Sequence, residues 1–399
     1  MPITLPLEET AAWIRLSLEP GLGPVQARSL LAAIGLPQEI YAQPAAALAK
    51  VVPQGLARQL RRPADAETES LIARSLQWLE QPRHHMLTLA EPAYPPALLD
   101  IHDPPLLLYV NGDPGLLSRP IVSIVGARNA TAGGMDNARA FARHLAGQGW
   151  CVASGLAHGV DAAAHQGALQ AGPQGAGTVA VMGTGIDIIY PSANLELARQ
   201  IAREGALVSE LALGTPSLPH QFPRRNRIVA GLARGVLVVE AARQSGSLIT
   251  ARLASEAGRE VFAIPGSIHS PLSRGCHALI RQGAKLVESG QDIHEELGAP
   301  GGGPPSLGGQ GPDASPRAPA AARRRAAAGP AQAPPQPHMP PNPDAATVLA
   351  ALGHDPVDID TLHTRTGLGI AQLNGALLAL EMADAVSRQD DGRYQRRNR

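Results

Sequence analysis

The sequence predicts an α/β protein built on a doubly wound parallel sheet, with a small helical domain before the sheet and a winged-helix domain after it. Three observations carry this prediction. Apolar strand segments alternate with helical segments through the middle of the chain. Helical periodicity dominates the first 80 or so residues, and a pattern of three short helices and a hairpin occupies the last 56. The predicted domains span 1–90, 91–297 and 344–399, with a linker over 298–343.

The composition fits a protein of several domains and excludes some functional classes. The chain has 399 residues, of which 44% are hydrophobic, and its 34 Lys and Arg balance its 34 Asp and Glu. A basic surface must therefore be local. Two cysteines, Cys151 and Cys276, provide neither a disulfide framework nor a zinc site. The sequence shows no signal peptide and no apolar run long enough to span a membrane, so we expect a cytoplasmic protein.

The predicted helical domain contains a glycine hairpin. Residues 8–62 have helical periodicity, which is interrupted at Pro20-Gly-Leu-Gly-Pro24. Helix, Gly-x-Gly turn and helix is the pattern of SAM/helix-hairpin-helix-like domains. Such a hairpin can hold a DNA phosphate through its backbone N–H groups, or it can be a plain structural turn that needs glycine for its geometry. Both interpretations remain open. We expect residues 92–96 to begin an extended connector to the central domain.

Six segments of the central domain are predicted to be buried parallel strands, because they are short, apolar and rich in β-branched residues. They are 121–125, 151–154, 178–182, 206–209, 235–240 and 261–264. In open sheets of this kind, ligands bind outside the carboxyl ends of the strands at a topological switch point. The informative residues are therefore those directly after each strand.

Small residues follow nearly every predicted strand. They let a ligand approach the backbone closely, and the repetition favours a ligand that carries phosphate. One such turn alone could equally be a tight connection. The forked guanidinium of Arg128 suits a pair of phosphate oxygens at the same edge. The candidate binding residues from these turns are Gly126, Arg128, Ser154, Gly155, Gly183, Gly185, Ser245, Gly246 and Ser247.

A cluster of cations stands between the fourth and fifth strands. Arg224, Arg225 and Arg227 provide phosphate clamps, Asn226 adds an amide, and Phe222 adds a platform for base stacking. The alternative is a solvated, charged helix start. Because the helix dipole disfavours cations there, the cluster indicates an anionic partner. No G-x-G-x-x-G follows the first strand, so a long polymer anion fits better than a dinucleotide.

Candidate catalytic groups do not form a complete set. His158, Asp161 and His165 provide too few ligands for a convincing metal site, and we expect Asp161 to orient its loop and His165 to pack or hydrogen-bond locally. Ser154 lacks the G-x-S-x-G context of a nucleophile. Glu210 and Glu240, at strand ends, are expected to accept backbone or arginine hydrogen bonds. We therefore predict no enzymatic activity, no metal and no cofactor.

The last predicted domain follows a segment dominated by Gly, Pro and Ala. Because residues 298–343 contain no aromatic residue and cannot form a core, we expect a disordered linker there. Helices are predicted at 346–352, 359–364 and 370–382, followed by a two-stranded wing around Asp390-Asp391. The third helix has no lysine or arginine, and only Gln372 and Asn374 could read bases. This module is therefore predicted to mediate mainly protein contacts.

An ordered set of motifs in this sequence resembles the DNA-processing protein A family (DprA, also called Smf). The resemblance covers the whole central domain and extends to the tail. The motifs are Val125-Gly-Ala-Arg128, Ser154-Gly-Leu-Ala-His-Gly-Val-Asp161, Gly183-Thr-Gly185, Tyr190-Pro191, Phe222-Pro-Arg-Arg-Asn-Arg227 and Ser245-Gly-Ser-Leu-Ile-Thr250.

The resemblance implies an extended Rossmann-like fold that binds single-stranded DNA, forms a homodimer through this domain and helps load RecA recombinase during natural transformation. It also implies that incoming DNA is protected. Carried over by position, the implied DNA contacts are Gly126, Ala127, Arg128, Phe222, Arg224, Asn226 and Arg227, with Ser245, Gly246 and Ser247 lining the pocket.

Three positions depart from the family pattern. Ala127 stands where many relatives have Ser, Ser192 where the residue is often basic, and His158 where some have Arg. The alternative function is a Rossmann-like phosphoribohydrolase acting on nucleoside monophosphates. Such enzymes carry P-G-G-x-G-T-x-x-E, whereas the segment 245–250 lacks the paired glycines and the following Glu.

Overall fold

A computed structural model of the chain describes residues 5–300, 343–353, 356–389 and 391–397. These residues form two compact units, one within 1–301 and the other within 302–399, and each is described by itself. The predicted disordered linker falls almost entirely on residues 301–342, outside the described residues.

The first unit begins with six helices that form a small core around Trp13 and Ile14. Helix α1 ends before the predicted hairpin, where Gly21 has a φ of +76°, a conformation that favours glycine. The Gly23 N–H donates to Gln26 Oε1 (3.4 Å), so one hairpin donor is already paired. The six helices are α1 Leu7–Leu18, α2 Pro24–Ile34, α3 Pro37–Ala42, α4 Ala45–Leu48, α5 Gln54–Leu60 and α6 Ala66–Leu79.

A nine-stranded sheet follows in the same unit. Its spatial order is β1-β2-β6-β5-β4-β3-β7-β8-β9, parallel from β6 to β9, with β1 and β2 antiparallel at one edge. The strands are β1 His84–Thr88, β2 Leu107–Gly112, β3 Ile121–Val125, β4 Cys151–Ser154, β5 Thr178–Val181, β6 Ala206–Ser209, β7 Gly235–Val238, β8 Glu260–Ala263 and β9 Lys285–Leu286.

The predicted α/β class and the six predicted parallel strands are confirmed, with bounds that differ by two residues at most. The sequence interpretation did not include β1, β2 or β9. The first two are an antiparallel pair formed by residues on either side of the predicted connector. That connector contains a short helix from Pro96, so the expectation of a purely extended segment was incomplete.

Helices cover both faces of the sheet and bury its apolar side chains, as a doubly wound sheet requires. Val122 and Ile124 of β3 belong to the core beneath α8 and α9, while Ile121 and Val125 belong to the core on the opposite face. The helices of this part are α7 Pro96–Leu99, α8 Ala132–Gly147, α9 Val160–Leu169, α10 Leu195–Glu204, α11 Gln221–Leu232, α12 Gly246–Glu256, α13 Arg274–Arg281 and α14 Gly290–Leu297.

The second unit has three helices and a two-stranded antiparallel sheet, as predicted for a winged helix. They are α15 Pro343–Leu352, α16 Ile359–Thr366, α17 Ile370–Met382, β10 Val386–Arg388 and β11 Tyr394–Arg396. Leu362, Leu373, Leu377 and Leu380 form its core. Asp390, at the predicted tip of the wing, is outside the described residues.

No helix in the described part of the chain is both long enough and apolar enough to cross a bilayer.

Candidate nucleic-acid interface

A pocket of about 270 Å³ lies outside the carboxyl ends of the central strands. The chain starts the parallel sheet at β3, proceeds outward through β4, β5 and β6, and returns to place β7 on the other side of β3. The strand order therefore reverses between β3 and β7, which is the topological switch point where ligands of such sheets bind. The pocket is lined by Val125, Gly126, Arg128, Ala157, Asp161, Pro219, Phe222, Pro223, Arg225, Asn226, Ser245, Gly246, Ser247 and Thr250.

The turn after β3 brings backbone and one cation to the pocket. A Cβ on Gly126 would lie 2.6 Å from the Val160 side chain, so this close approach requires glycine. Ala127 is buried, and its carbonyl accepts the Val160 N–H (3.2 Å). Arg128 is exposed and lines the pocket. Among the described residues, its guanidinium forms no ion pair with a carboxylate.

The turn after β4 is held from inside the protein. The Asp161 carboxylate accepts hydrogen bonds from the backbone N–H groups of Gly155 (3.1 Å) and Ala157 (3.3 Å). The Ser154 hydroxyl donates to the Ile124 carbonyl (2.6 Å) and is wholly buried. Asp161 therefore orients the loop, as predicted, while Ser154 supports the wall rather than facing the pocket.

Two of the three predicted arginine clamps are buried. Arg225 donates from Nη1 to the Gly155 carbonyl (2.6 Å) and to the Val181 carbonyl. Arg227 donates to Asp103 Oδ2 (2.8 Å) and pairs with Glu210. Both side chains are thus supplied with acceptors by the protein itself. Their contact with DNA stays a prediction, and their observed role is to hold α11 against the strand ends.

The charges of Asp161 and Arg225 are buried, whereas the charge of Arg224 is exposed to solvent. Burial raises the pKa of Asp161 above its usual value, although Arg225 and the two N–H donors oppose this. Burial also lowers the pKa of Arg225 to about 10, with Asp161 opposing. Each charge is thus tolerated in the interior because of the other. Arg224, in contrast, is 53% exposed and lies 3.6 Å from Glu210.

Phe222 stands at the start of α11, packed on the turn after β5. A Cβ on Gly183 would lie 2.8 Å from the Phe222 ring, so glycine is needed for the ring to pack against this turn. Gly185, in the same turn, is buried against the Ala212 carbonyl. The Arg128 guanidinium carbon lies 5.7 Å from the Phe222 ring centroid, within the range of a cation–π contact. Both glycines therefore shape the wall and have no side chain of their own to contribute.

The start of α12 forms the remaining wall. The Ser245 side chain accepts from the Ser247 N–H (3.3 Å), and the two hydroxyl oxygens lie 2.6 Å apart. Gly246 is exposed, and a Cβ there would meet no atom within 4 Å. Asn226 donates weakly to the Gly246 carbonyl (3.5 Å). This wall presents a helix N-terminus and small polar groups, which together favour an anion.

The structure therefore divides the predicted site residues into two groups. Those that line the pocket are Gly126, Arg128, Phe222, Arg225, Asn226, Ser245, Gly246 and Ser247. Those that lie behind or beside it are Ala127, Ser154, Gly155, Gly183, Gly185, Arg224 and Arg227.

The expectations for the remaining polar residues are also resolved. His165 is wholly buried, and its Nδ1 lies 2.8 Å from Thr178 Oγ1. Since the Thr178 hydroxyl donates to the Val152 carbonyl (2.7 Å), Nδ1 carries the proton of the imidazole. Glu240 accepts hydrogen bonds from the backbone and hydroxyl of Thr131, and Glu210 accepts from Arg227, as predicted. His158 is exposed, whereas His165 is buried.

Tyr190 is not among the site residues that the sequence predicts, although its Tyr190-Pro191 motif belongs to the family pattern. Its ring centroid lies 5.4 Å from that of Phe222. Asp161 was interpreted only as a loop residue, yet it also lines the pocket, as do Thr250 and Pro219. The position of Tyr190 in the turn after β5, directly before Pro191, was a usable signal because that turn reaches the same sheet edge as the others.

Comparisons with known proteins agree with this architecture. Residues 85–298 match the profile of the family described as DNA recombination-mediator protein A, and residues 332–392 match that of the DprA winged helix domain. The chain is 34% identical over 410 residues to Protein Smf of Synechocystis sp., covering 98% of this chain and 99% of that protein. It is 47% identical to Protein Smf of Escherichia coli over 227 residues, which are 57% of this chain and 60% of that protein.

A solved structure shares the fold. The chain is similar to the X-ray structure of DNA processing protein A (DprA) from Streptococcus pneumoniae, with a TM-score of 0.61 and 37% sequence identity. The alignment covers 74% of this chain and 99% of that one.

Proposed function

Because the chain belongs to the DNA recombination-mediator protein A family (DprA/Smf), we propose that it binds single-stranded DNA, protects it on entry and helps load RecA recombinase during natural transformation. In this proposal the protein acts by binding and handover in the cytoplasm, without bond chemistry. It forms a homodimer through the central domain, 91–297.

The observation that carries the proposal is the rim of the switch-point pocket. There an exposed arginine without a carboxylate partner among the described residues, Arg128, lies over the ring of Phe222. A phosphodiester offers the anion for the arginine and for the start of α12, and an unpaired base offers a face for the ring. Duplex DNA offers the phosphodiester but no free base face, since its base faces are stacked on one another.

The same rim supports binding that tolerates different sequences. Phosphate contacts carry no information about the base, and every base has a face that can stack on an aromatic ring. Arg225 and Arg227 contribute by holding α11, and thereby Phe222, at the edge of the pocket. The burial of both side chains therefore fits a role in supporting the binding site.

The test is equilibrium binding of the wild-type chain to a labelled oligo-dT and to a duplex of the same length, by fluorescence anisotropy over a salt series. We expect tight, salt-sensitive binding of the single strand and much weaker binding of the duplex. Equal affinity for both, or no binding of either, would contradict the proposal. Release of free base from a nucleoside monophosphate would support the phosphoribohydrolase alternative instead.

A further inference from the structure

Tyr190 extends the binding rim beyond the pocket. Its side chain is among the most exposed aromatic groups described, at 47% exposure, and its ring is tilted by 42° to that of Phe222. The Arg128 guanidinium lies on the Phe222 ring as well. Arg128, Phe222 and Tyr190 thus form a continuous row of one cation and two rings, which we name the aromatic row.

The loop that carries Tyr190 is fixed to its surroundings. The buried Asn194 amide donates to the carbonyls of Leu156 (2.9 Å) and Ala157 (3.2 Å), in the turn after β4. At the other end of the loop, the Thr184 hydroxyl donates to the Ile188 carbonyl (2.6 Å). The exposed ring is therefore held in place by both flanks, although half of its surface is left in water.

The two rings contact each other directly, so no base fits between them. A centroid separation of 5.4 Å lies within the 4.5–7 Å range of a touching aromatic pair. Any base must stack on the open surface of each ring. A rigid aromatic side chain loses little conformational entropy on binding, and stacking on one ring contributes about 1–3 kcal/mol per base.

We propose that Tyr190 is a second base platform, so that the site engages single strands with at least two consecutive unpaired bases. One base stacks on Phe222 and another on Tyr190, while Arg128 holds the phosphodiester beside them. This inference rests on the proposed single-stranded DNA binding and adds to it a residue and a minimum of two bases.

The experiment compares two 12-nucleotide probes on the full chain, oligo-dT and an abasic strand with the same backbone charge. The variants are Tyr190→Ala, Tyr190→Phe and Phe222→Ala, and Leu195→Ala is the matched control, an exposed apolar side chain at the start of α10 that is not in the aromatic row. Competition anisotropy gives the affinity of each variant for each probe.

We expect Tyr190→Ala to weaken oligo-dT binding about tenfold or more, and to leave binding of the abasic strand unchanged. Tyr190→Phe should retain wild-type affinity, because the ring and not the hydroxyl makes the contact. Leu195→Ala should bind as wild type does.

Two results would overturn this inference while leaving the proposed function intact. In the first, Phe222→Ala loses affinity for oligo-dT but Tyr190→Ala does not. In the second, Tyr190→Ala weakens both probes equally, which would assign Tyr190 to the support of the fold. Failure of the wild-type chain to bind oligo-dT at all would instead count against the proposed function.

Discussion

Two pairs of arginines near one pocket behave in opposite ways. Arg128 is exposed at the rim of the pocket and Arg224 is exposed beside it, whereas Arg225 and Arg227 are buried and hydrogen-bonded to carbonyls or carboxylates of the protein. Arg224 and Arg225 are adjacent in the sequence, but successive residues of a helix point about 100° apart. One turn of α11 therefore carries an exposed cation and a buried cation that holds the helix in place.

A cluster of cations at a helix start therefore does not by itself indicate a ligand. Because the helix dipole disfavours cations at a helix start, the sequence predicts an anionic partner for this cluster. For Arg227 that partner is provided internally by Asp103 and Glu210, and for Arg225 the buried Asp161 carboxylate favours the charge. Only Arg128, which has no carboxylate partner among the described residues, remains to be matched by an external anion.

The largest expected effect is a loss of stability when the buried Arg225 is replaced. Arg225→Ala leaves the Asp161 carboxylate buried without its cation and removes the donor to the Gly155 and Val181 carbonyls. We expect the free energy of unfolding to fall by about 3–5 kcal/mol. Urea denaturation measures this, with Arg199→Ala as a control for an exposed, ion-paired arginine on α10. A midpoint equal to that of the wild type would show that Arg225 does not hold the fold.

Next in size is the pH dependence of stability from His165, a buried residue of α9. Burial, reinforced by Arg225, lowers the pKa of His165 to about 3 from its usual 6.5. Between these values the unfolded chain binds a proton that the folded chain does not, so stability is present above about pH 6.5 and falls as the pH is lowered. The expected loss is about 2 kcal/mol at pH 5.

Denaturation of the wild type and of His165→Asn at pH 7.5 and pH 5 isolates this contribution. The variant should lose less stability between the two pH values than the wild type does. An identical loss in both proteins would assign the pH dependence to other groups.

A smaller effect is expected at the exposed neighbour of Arg225. Because Arg224 is 53% exposed and its charge is partly balanced by Glu210 at 3.6 Å, Arg224→Ala should leave stability within about 0.5 kcal/mol of the wild type. Oligo-dT affinity should fall only about threefold, or about 0.7 kcal/mol. Thermal denaturation and anisotropy on the same preparation check both expectations. Loss of the fold in this variant would show that Arg224 stabilises the protein as the buried Arg225 and Arg227 do.

The smallest effect is expected in α17, the third helix of the winged-helix unit. Unlike the start of α11, α17 has no lysine or arginine, and its exposed side includes Ile370, Leu378 and Met382. Asn374→Ala should therefore leave affinity for duplex DNA and for oligo-dT unchanged. Tight binding of duplex DNA by the fragment 344–399 at physiological salt would contradict the prediction that this module mainly contacts proteins.

The sequence was sufficient to predict the parts of the fold that depend on local patterns. The central strands are short apolar runs, and the turns after them are marked by Gly126, Gly155 and Gly183, so both could be located without tertiary information. The antiparallel pair β1 and β2 was not located, because β1 contains His84 and His85 and depends on pairing with a distant segment.

The division of the site residues could not be predicted for a similar reason. Whether Arg227 is buried depends on Asp103 and Glu210, which are distant in sequence and reach it only through the folded sheet. Likewise, Tyr190 meets Phe222 because two different strand exits converge at one edge. Local sequence identifies the residue types, whereas the fold determines which of them face the pocket.

We propose that Arg128 is a cation for DNA phosphate and is not needed for the fold. The most direct test is the salt dependence of oligo-dT binding for the wild type and Arg128→Ala, with a thermal melt of each protein. We expect an unchanged melting temperature, weaker binding at every salt concentration and a slope of log affinity against log salt that is smaller by about 0.7, the value for one phosphate of a single strand. An unchanged affinity and slope would show that Arg128 does not contact DNA phosphate.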